Sequence, residues 1–493
     1  MKVTALALLM GSLFLPAQIP AAVQACEGGL DGMVSDFNAD GHADAAVGDP
    51  FRRVGDAAGA GAVTIMYGST DGRVGEGERV RLTQDTPSIR GEAERGDQFG
   101  FDMEAADLDG DGCTDLAVSA PGDGAGQIAV LYGSPKGLGQ ETLWIGQGTS
   151  RVPGTPEAGD QFGHRLSAAP AKGADDAVVV VGVPHEDIRT VRDAGAVVSV
   201  RLTRERELAS ARWFDQSTPG VSGVPEPGDL FGSDIEVLQA SGSSGRWDLV
   251  VGTPYEDIGA VRNAGSMTLV EDLAEAVAEH RAVTWTQDSA GVSGDVEAGD
   301  LFGTDPEHVV TPEGLYLAIG VPGEDLRGAS NGGMVQVFRG AGEGLRPQRV
   351  LHQDLAGASD AIENNDFFGN VLEGVERPVA GGHARLVVGL PSEDLGTRVD
   401  AGAVQSFSLD APGIEDRWLS QDAPQVPAGA DSRDGFGFAL GSAGAQGEHV
   451  LLVGVPWEDD QGVVHVLPFG GSGRLWYPEV GANRFGFSLA GHR

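Results

Sequence analysis

RFGFSLAGHR, residues 484–493, ends the sequence, and its reading decides the fold. Phe485-Gly486 opens a motif met six times before, at Phe99, Phe162, Phe231, Phe302, Phe368 and Phe436, with 63 to 71 residues from one to the next. Behind Phe485 only a few residues follow. A unit that starts and does not continue needs a reason, and the other end of the chain supplies it.

A second signature is an apolar run ending at proline. It occurs as VGDP (47–50), VSAP (118–121), VGVP (181–184), VGTP (251–254), IGVP (319–322), VGLP (388–391) and VGVP (453–456). A third is the series Gln84, Gln147, Gln216, Gln287, Gln353 and Gln421, often as Trp-x-Gln-Asp, of which Trp476 alone survives in the last unit. Each unit therefore offers four short strands bounded by Gly, Pro and Asp, the pattern of a propeller blade with generous loops. The first apolar–proline run has no Phe-Gly before it, and the last Phe-Gly has no apolar–proline run after it. Seven of each balance if the C-terminal strand joins the first three in one shared blade. The fold class read from this is all-β, a seven-bladed propeller closed by pairing of the N- and C-terminal segments, which leaves no free sheet edge.

Composition agrees. Glycine is abundant (77 of 493 residues) and acidic residues outnumber basic ones, 73 to 33, for a net charge of −40. Glycine-rich turns favour short strands over long helices. A surface this negative repels nucleic acid and anionic lipid, so neither is an expected partner.

The repeats resemble the FG-GAP units of integrin alpha-subunit propellers and of many bacterial secreted proteins, over about residues 34–493. The resemblance implies a seven-bladed propeller with calcium in some loops between the Phe-Gly strand and the apolar–proline strand.

Two such loops carry the chemistry for it. DFNADGHAD (36–44) places side-chain oxygens at Asp36, Asn38, Asp40 and Asp44; DLDGDGCTD (107–115) does so at Asp107, Asp109, Asp111 and Asp115. Alternate positions of a tight loop point inward together, Gly41 and Gly112 permit the bend, and the carbonyls of His42 and Cys113 are further candidate donors. Hard oxygen donors in this number suit Ca2+. An EF-hand would need glutamate where Val47 and Val118 stand, and flanking helices where strands are expected. The other five units lack the alternation.

Those units carry acidic pairs instead: Glu186-Asp187, Glu256-Asp257, Glu324-Asp325, Glu393-Asp394 and Glu458-Asp459, four of them followed by Asp193, Asn263, Asn331 and Asp400. Turn chemistry is the plainer reading; a negative rim for cations or a basic partner is the alternative. Arg95-Gly96-Asp97 spells an adhesion tripeptide, but Gly-Asp recurs at the same place in other units, so it reads as scaffold. Gly328-Ala329-Ser330-Asn331-Gly332 matches a nucleophile elbow without the strand–turn–helix setting that motif needs. The periodic Trp144, Trp213, Trp285 and Trp418 read as packing between blades. EDLAEAVAEHRA (271–282) has helix-forming composition.

Residues 1–25 read as a signal peptide cleaved after Ala25, leaving 26–493 as the propeller of a secreted, extracellular, soluble monomer without membrane insertion. Export permits a Cys26–Cys113 disulfide; the alternative is a lipid anchor on Cys26. The expected role is a calcium-binding extracellular binding or adhesion module for a protein or glycan. The runner-up is an extracellular hydrolase acting near the propeller axis, marked by perturbed carboxylates with a histidine or metal around the central channel.

Overall fold

The computed structural model describes residue 26 and residues 33–490, except 72, 90, 172–175, 241–245, 274–280, 341–343, 356–360, 377, 380–381, 412, 414, 446–448, 470–472 and 479–480. The expected signal segment and the core of the expected helix lie outside the described residues.

The described strands pair into seven antiparallel sheets, the blades of a propeller. Blade 1 combines Ala45–Asp49, Ala62–Met66 and Arg79–Leu82 with an inner strand, Ser488–Ala490, from the far end of the chain. Ala46 pairs with Ala490, Val47 with Leu489 and Gly48 with Ser488, as the Phe-Gly bookkeeping required. The inner strands of blades 2 to 7 are Met103–Ala106, Leu166–Ala169, Asp234–Leu238, Thr304–Thr311, Val371–Val375 and Ala439–Ala445. Each inner strand touches the next, and the seventh touches the first, so the ring is closed. The sequence did not announce one further strand. Met33–Val34 pairs with Ala445 and Gly444 of blade 7, so the segment ahead of blade 1 grips the last blade as Ser488–Ala490 grips the first.

Hydrophobic clusters fill the gaps between successive blades, including the gap between blades 7 and 1. Second strands such as Ala177–Val183 (AVVVVGV) are buried along their whole length because a neighbouring blade covers each face. Outer strands such as Arg79–Leu82 show exposed positions.

Phe-Gly is the joint between blades. At all seven the Phe N–H donates to a backbone carbonyl of the preceding blade in chain order, from Phe99 to Ala60 (2.9 Å) through Phe485 to Gln461 (2.9 Å). None of the seven rings is more than 2% exposed. Removing one such ring costs about 3–5 kcal/mol. The glycine after it lies against the glycine of an apolar–proline run: a Cβ on Gly454 would stand 2.1 Å from the Gly486 carbonyl oxygen. The periodic tryptophans pack on the interblade clusters as expected, and Trp476 lies between blades 7 and 1.

Candidate functional site

The two acidic loops are built alike and run straight into the second strands of blades 1 and 2, without flanking helices. In the first, Asp36 accepts the N–H groups of Asp40 (3.1 Å) and Gly41 (2.9 Å), and Asp40 accepts that of His42 (2.9 Å). Asn38 accepts the Asp40 N–H (3.1 Å). Asp44 closes the loop, taking the N–H groups of Phe37 (2.8 Å) and Gly68 (2.7 Å). The second loop repeats most of this. Asp107 accepts from Gly110 (2.6 Å) and Gly112 (3.1 Å), Asp109 from Asp111 (2.9 Å), and Asp111 from Cys113 (2.8 Å). Asp115 accepts from Leu108 (2.7 Å) and Gly133 (2.7 Å).

Burial sets the electrostatics. It raises the Asp36 and Asp107 carboxyls above the ordinary range. It pushes Asp44 up to about 8 and Asp111 up to about 6, with neighbouring aspartates adding to the shift. Asp115, fully enclosed, is raised well above the usual carboxylate range, with Asp109 contributing. Carboxylate oxygens of Asp107, Asp109 and Asp115 lie within 4.8 Å of one another, close enough to share one ion. Desolvated oxygens held together by backbone donors fit a hard cation, whose charge would offset their mutual repulsion.

The loops differ in one respect that the sequence concealed. Arg206, from the turn between the outer strands of blade 3, reaches the second loop. Its Nε lies 2.6 Å from Asp109 Oδ2, its Nη2 3.3 Å from Asp111 Oδ2 and its Nη1 2.6 Å from Glu141, over the Tyr132 ring at 4.6 Å. Among the described residues no basic side chain pairs with Asp36, Asp40 or Asp44. Asp109 stands where the first loop has neutral Asn38, so Arg206 balances the added charge. Nothing in the local motif identifies Arg206, which lies 97 residues from Asp109.

Cys26 and Cys113 are disulfide-bonded, so the Cys26 sulfur is not free to carry a lipid thioether. The Cys26 N–H also donates to the Asp111 carbonyl (2.9 Å), tying this residue to the second loop.

The acidic pairs resolve into two separate jobs. Asp187, Asp257, Asp325 and Asp394 accept the N–H groups of Asp193, Asn263, Asn331 and Asp400 at 2.8–2.9 Å, capping turns where those residues hold φ of 51–52°. That is the turn chemistry expected. The glutamates face inward and take an amide from the periodic glutamines. Gln147 donates to Glu186 (2.6 Å), Gln216 to Glu256 (2.5 Å), Gln287 to Glu324 (2.5 Å), Gln353 to Glu393 (3.0 Å) and Gln421 to Glu458 (2.8 Å). Each bond joins one blade to the next. Asp97 of the adhesion-like tripeptide is buried and accepts the Glu94 N–H (2.6 Å), so it is scaffold. Ser330 sits in an exposed turn between two strands, not in a nucleophile elbow.

On the axis lies a cavity of about 490 Å³. Arg165 stands at its wall, 3.4 Å from Asp234 and 3.8 Å from Asp305. Asp102 and Asp305 accept the N–H groups of Leu166 (2.7 Å) and Leu372 (2.6 Å) in the adjoining blades. Burial pushes Asp234 up to about 6, with Arg165 opposing, and pushes His164 down to about 4.

The FG-GAP repeat model matches residues 99–131, which span the first Phe-Gly of the chain and the second acidic loop. Phosphatidylinositol-glycan-specific phospholipase D of Rattus norvegicus is 32% identical over 157 residues, 31% of this chain and 17% of that protein. Integrin alpha-PS5 of Drosophila melanogaster is 28% identical over 188 residues, 37% and 18% of the two chains. Integrin alpha-6 of Gallus gallus is 34% identical over 120 residues, 24% and 10%. The matched stretches thus span less than a fifth of these relatives' lengths. Among solved structures, the periplasmic gluconolactonase of Pseudomonas aeruginosa aligns with 90% of this chain and 99% of its own, at 14% identity and a TM-score of 0.46, too loose a likeness to carry an argument. The chain is a seven-bladed β-propeller that carries an FG-GAP repeat at residues 99–131 and is similar over part of its length to integrin alpha subunits.

Proposed function

We propose that the protein is an exported recognition disc that holds calcium in its first two blades and binds a protein or glycan outside the cell, as an adhesion module does. One observation carries the metal reading: the same cradle of backbone N–H groups and buried aspartates is built twice, at Asp36–Asp44 and Asp107–Asp115. Asp36, Asn38, Asp40 and Asp44 would hold one ion; Asp107, Asp109, Asp111 and Asp115 the other, with the His42 and Cys113 carbonyls as further donors. The ion's part is structural, fixing loops that carry like charges. The disulfide suits an oxidising compartment, which supports export. Recognition then falls to the faces of a rigid ring. Calorimetric titration of the full chain with CaCl2 tests the metal reading: two bound ions, and a lower melting temperature in chelator, are expected. No heat of binding together with an unchanged melting temperature would sink it.

A second reading, hydrolysis at the axis, draws on one observation: Asp234, with its raised pKa, lies beside Arg165 in the axial cavity. Turnover of chromogenic glycosides or esters that is lost in Asp234→Asn is its test.

A further inference from the structure

The positions that recur around the ring are scaffold: Phe-Gly at all seven joints, the Gln–Glu bond at five of them and Gly-Asp in four of the turns. The positions that differ from blade to blade and face one shared space are not needed to build a blade. The residue after each Phe-Gly is such a position. In blades 7, 1 and 2 it is Phe438, Phe487 and Phe101, whose rings form a continuous arc with centroids 5.2 and 5.5 Å apart. Trp457 and Phe51 buttress the arc from outside, at 4.5 Å from Phe438 and 5.2 Å from Phe487. In blades 3 to 6 the same position is His164, Ser233, Thr304 and Asn370. All seven line the axial cavity.

The position that follows it in each blade also varies around the ring. The next residue along the chain is Asp102, Arg165, Asp234 and Asp305 in blades 2 to 5. Val371, Ala439 and Ser488 stand in blades 6, 7 and 1. The wall at blades 7 and 1 is therefore apolar or small and the rest is more polar, where Asp102, Asp234 and Asp305, with Glu104 and Glu373 also in the lining, stand against one guanidinium. Arg165 spends its charge between Asp234 and Asp305. Ser233, 7% exposed, has its hydroxyl oxygen without a hydrogen-bond partner among the described residues, although it lines a cavity. A volume of about 490 Å³ is that of a small-ligand site.

We infer that the axial cavity binds a small hydroxylated amine of hexosamine size. Its C–H face lies on the Phe438–Phe487–Phe101 arc, its hydroxyls meet Ser233, Thr304 and Asn370, and its ammonium faces the Asp102–Asp234–Asp305 wall. Aromatic rings favour a cation or polarised C–H groups over their faces, and the wall's net negative charge excludes a carboxylate ligand. This inference rests on the reading of the disc as a recognition module and supplies it with a ligand class and a site.

The test compares three probes that share one ring and differ in charge, namely glucosamine, glucose and glucuronate, by calorimetric titration against the full chain. The expected order is glucosamine tightest, glucose about tenfold weaker and glucuronate undetectable. Phe438→Ala and Phe101→Ala should each weaken glucosamine and glucose alike, by about tenfold. Asp234→Asn, which keeps the side-chain shape, should erase the advantage of glucosamine over glucose. Circular dichroism and melting curves confirm that each variant is folded, and having two aromatic variants guards against one that is not. Failure of glucosamine to bind overturns the inference, as does tightest binding of glucuronate, or an unchanged glucosamine-to-glucose ratio in Asp234→Asn. Calcium titration of the same sample separates the outcomes. Calcium binding without glucosamine binding overturns the axial site alone; loss of both overturns the metal reading as well.

Discussion

The Arg206 guanidinium stands 2.6 Å from Asp109 through Nε, a charge from blade 3 placed inside a loop of blade 2. Blade 1 has no counterpart among the described residues. The two loops, so alike in sequence, therefore present different free charge to an incoming ion. A divalent ion in the second loop would feel Arg206 from just beyond Asp109, at about 6 Å, a repulsion of about 1–6 kcal/mol between the dielectric of water and that of a protein surface. Arg206→Gln should tighten the second site about tenfold or more while lowering the melting temperature in chelator, where the guanidinium would otherwise neutralise Asp109. Isothermal titration of both proteins measures this; an isotherm indifferent to the substitution refutes it.

The shared blade makes the last strand a global element. Deletion of residues 485–493 removes the buried Phe485 ring and the pairing of Ser488–Ala490 with Gly48, Val47 and Ala46. It also opens the cluster between blades 7 and 1. The truncated protein should melt in one transition about 5 °C or more lower, since several kcal/mol are lost at the joint. A melting curve that matches the intact chain is the contrary result.

Four glutamates between blades titrate near neutrality. Glu186, Glu256, Glu324 and Glu458 are each pushed up to about 7 by burial, with Asp160, Asp229, Asp300 and Asp434 adding repulsion. A carboxyl raised above its unfolded value of about 4.5 binds its proton more tightly in the folded state. These groups therefore favour the fold below about pH 4.5, and that advantage is lost as pH rises to about 7. Discounted for partial exposure, each is worth about 1 kcal/mol. The melting temperature should fall between pH 5 and pH 8. Glu256→Gln, which can still accept the Gln216 amide, should lessen the fall and stabilise the protein at pH 8. A variant with an unaltered pH profile would argue against these assignments.

The Cys26–Cys113 bond spans 87 residues and anchors the segment ahead of blade 1 to the second loop. On the chain-entropy view its loss costs up to about 4.6 kcal/mol. Cys26→Ser with Cys113→Ser should lower the melting temperature by several degrees. It should also weaken calcium binding at the second loop more than at the first, because the Cys26 N–H holds the Asp111 carbonyl. Equal effects on both loops would disprove that local coupling.

Much of this was legible along the chain because it repeats. Phe-Gly, the apolar–proline run and the alternating aspartates are local patterns, and counting them at both ends yields the closure. What was hidden depends on pairs far apart in sequence. Arg206 meets Asp109 only when two blades stack, and one arginine in a turn carries no mark of its target. The glutamines were visible as a period but not as a bond, since each partner lies 37 to 40 residues ahead in the next blade. The axial wall was written in the residue after each Phe-Gly, yet its division into an aromatic and a polar half emerges only when the line is bent into a circle. Met33–Val34 is too short to show a strand pattern.

Reciprocal pairing of the two ends also sets an order of events on the ribosome. Ala45–Asp49 is made early but must wait for Ser488, about 440 residues later, before its inner edge is covered. At about 5–20 residues per second that edge stays open for roughly 20–90 s. Throughout that interval a nascent chain offers unpaired backbone to any passing strand, including that of a sister molecule. Holding factors that shield this first edge during synthesis would decide yield more than the stability of the finished ring.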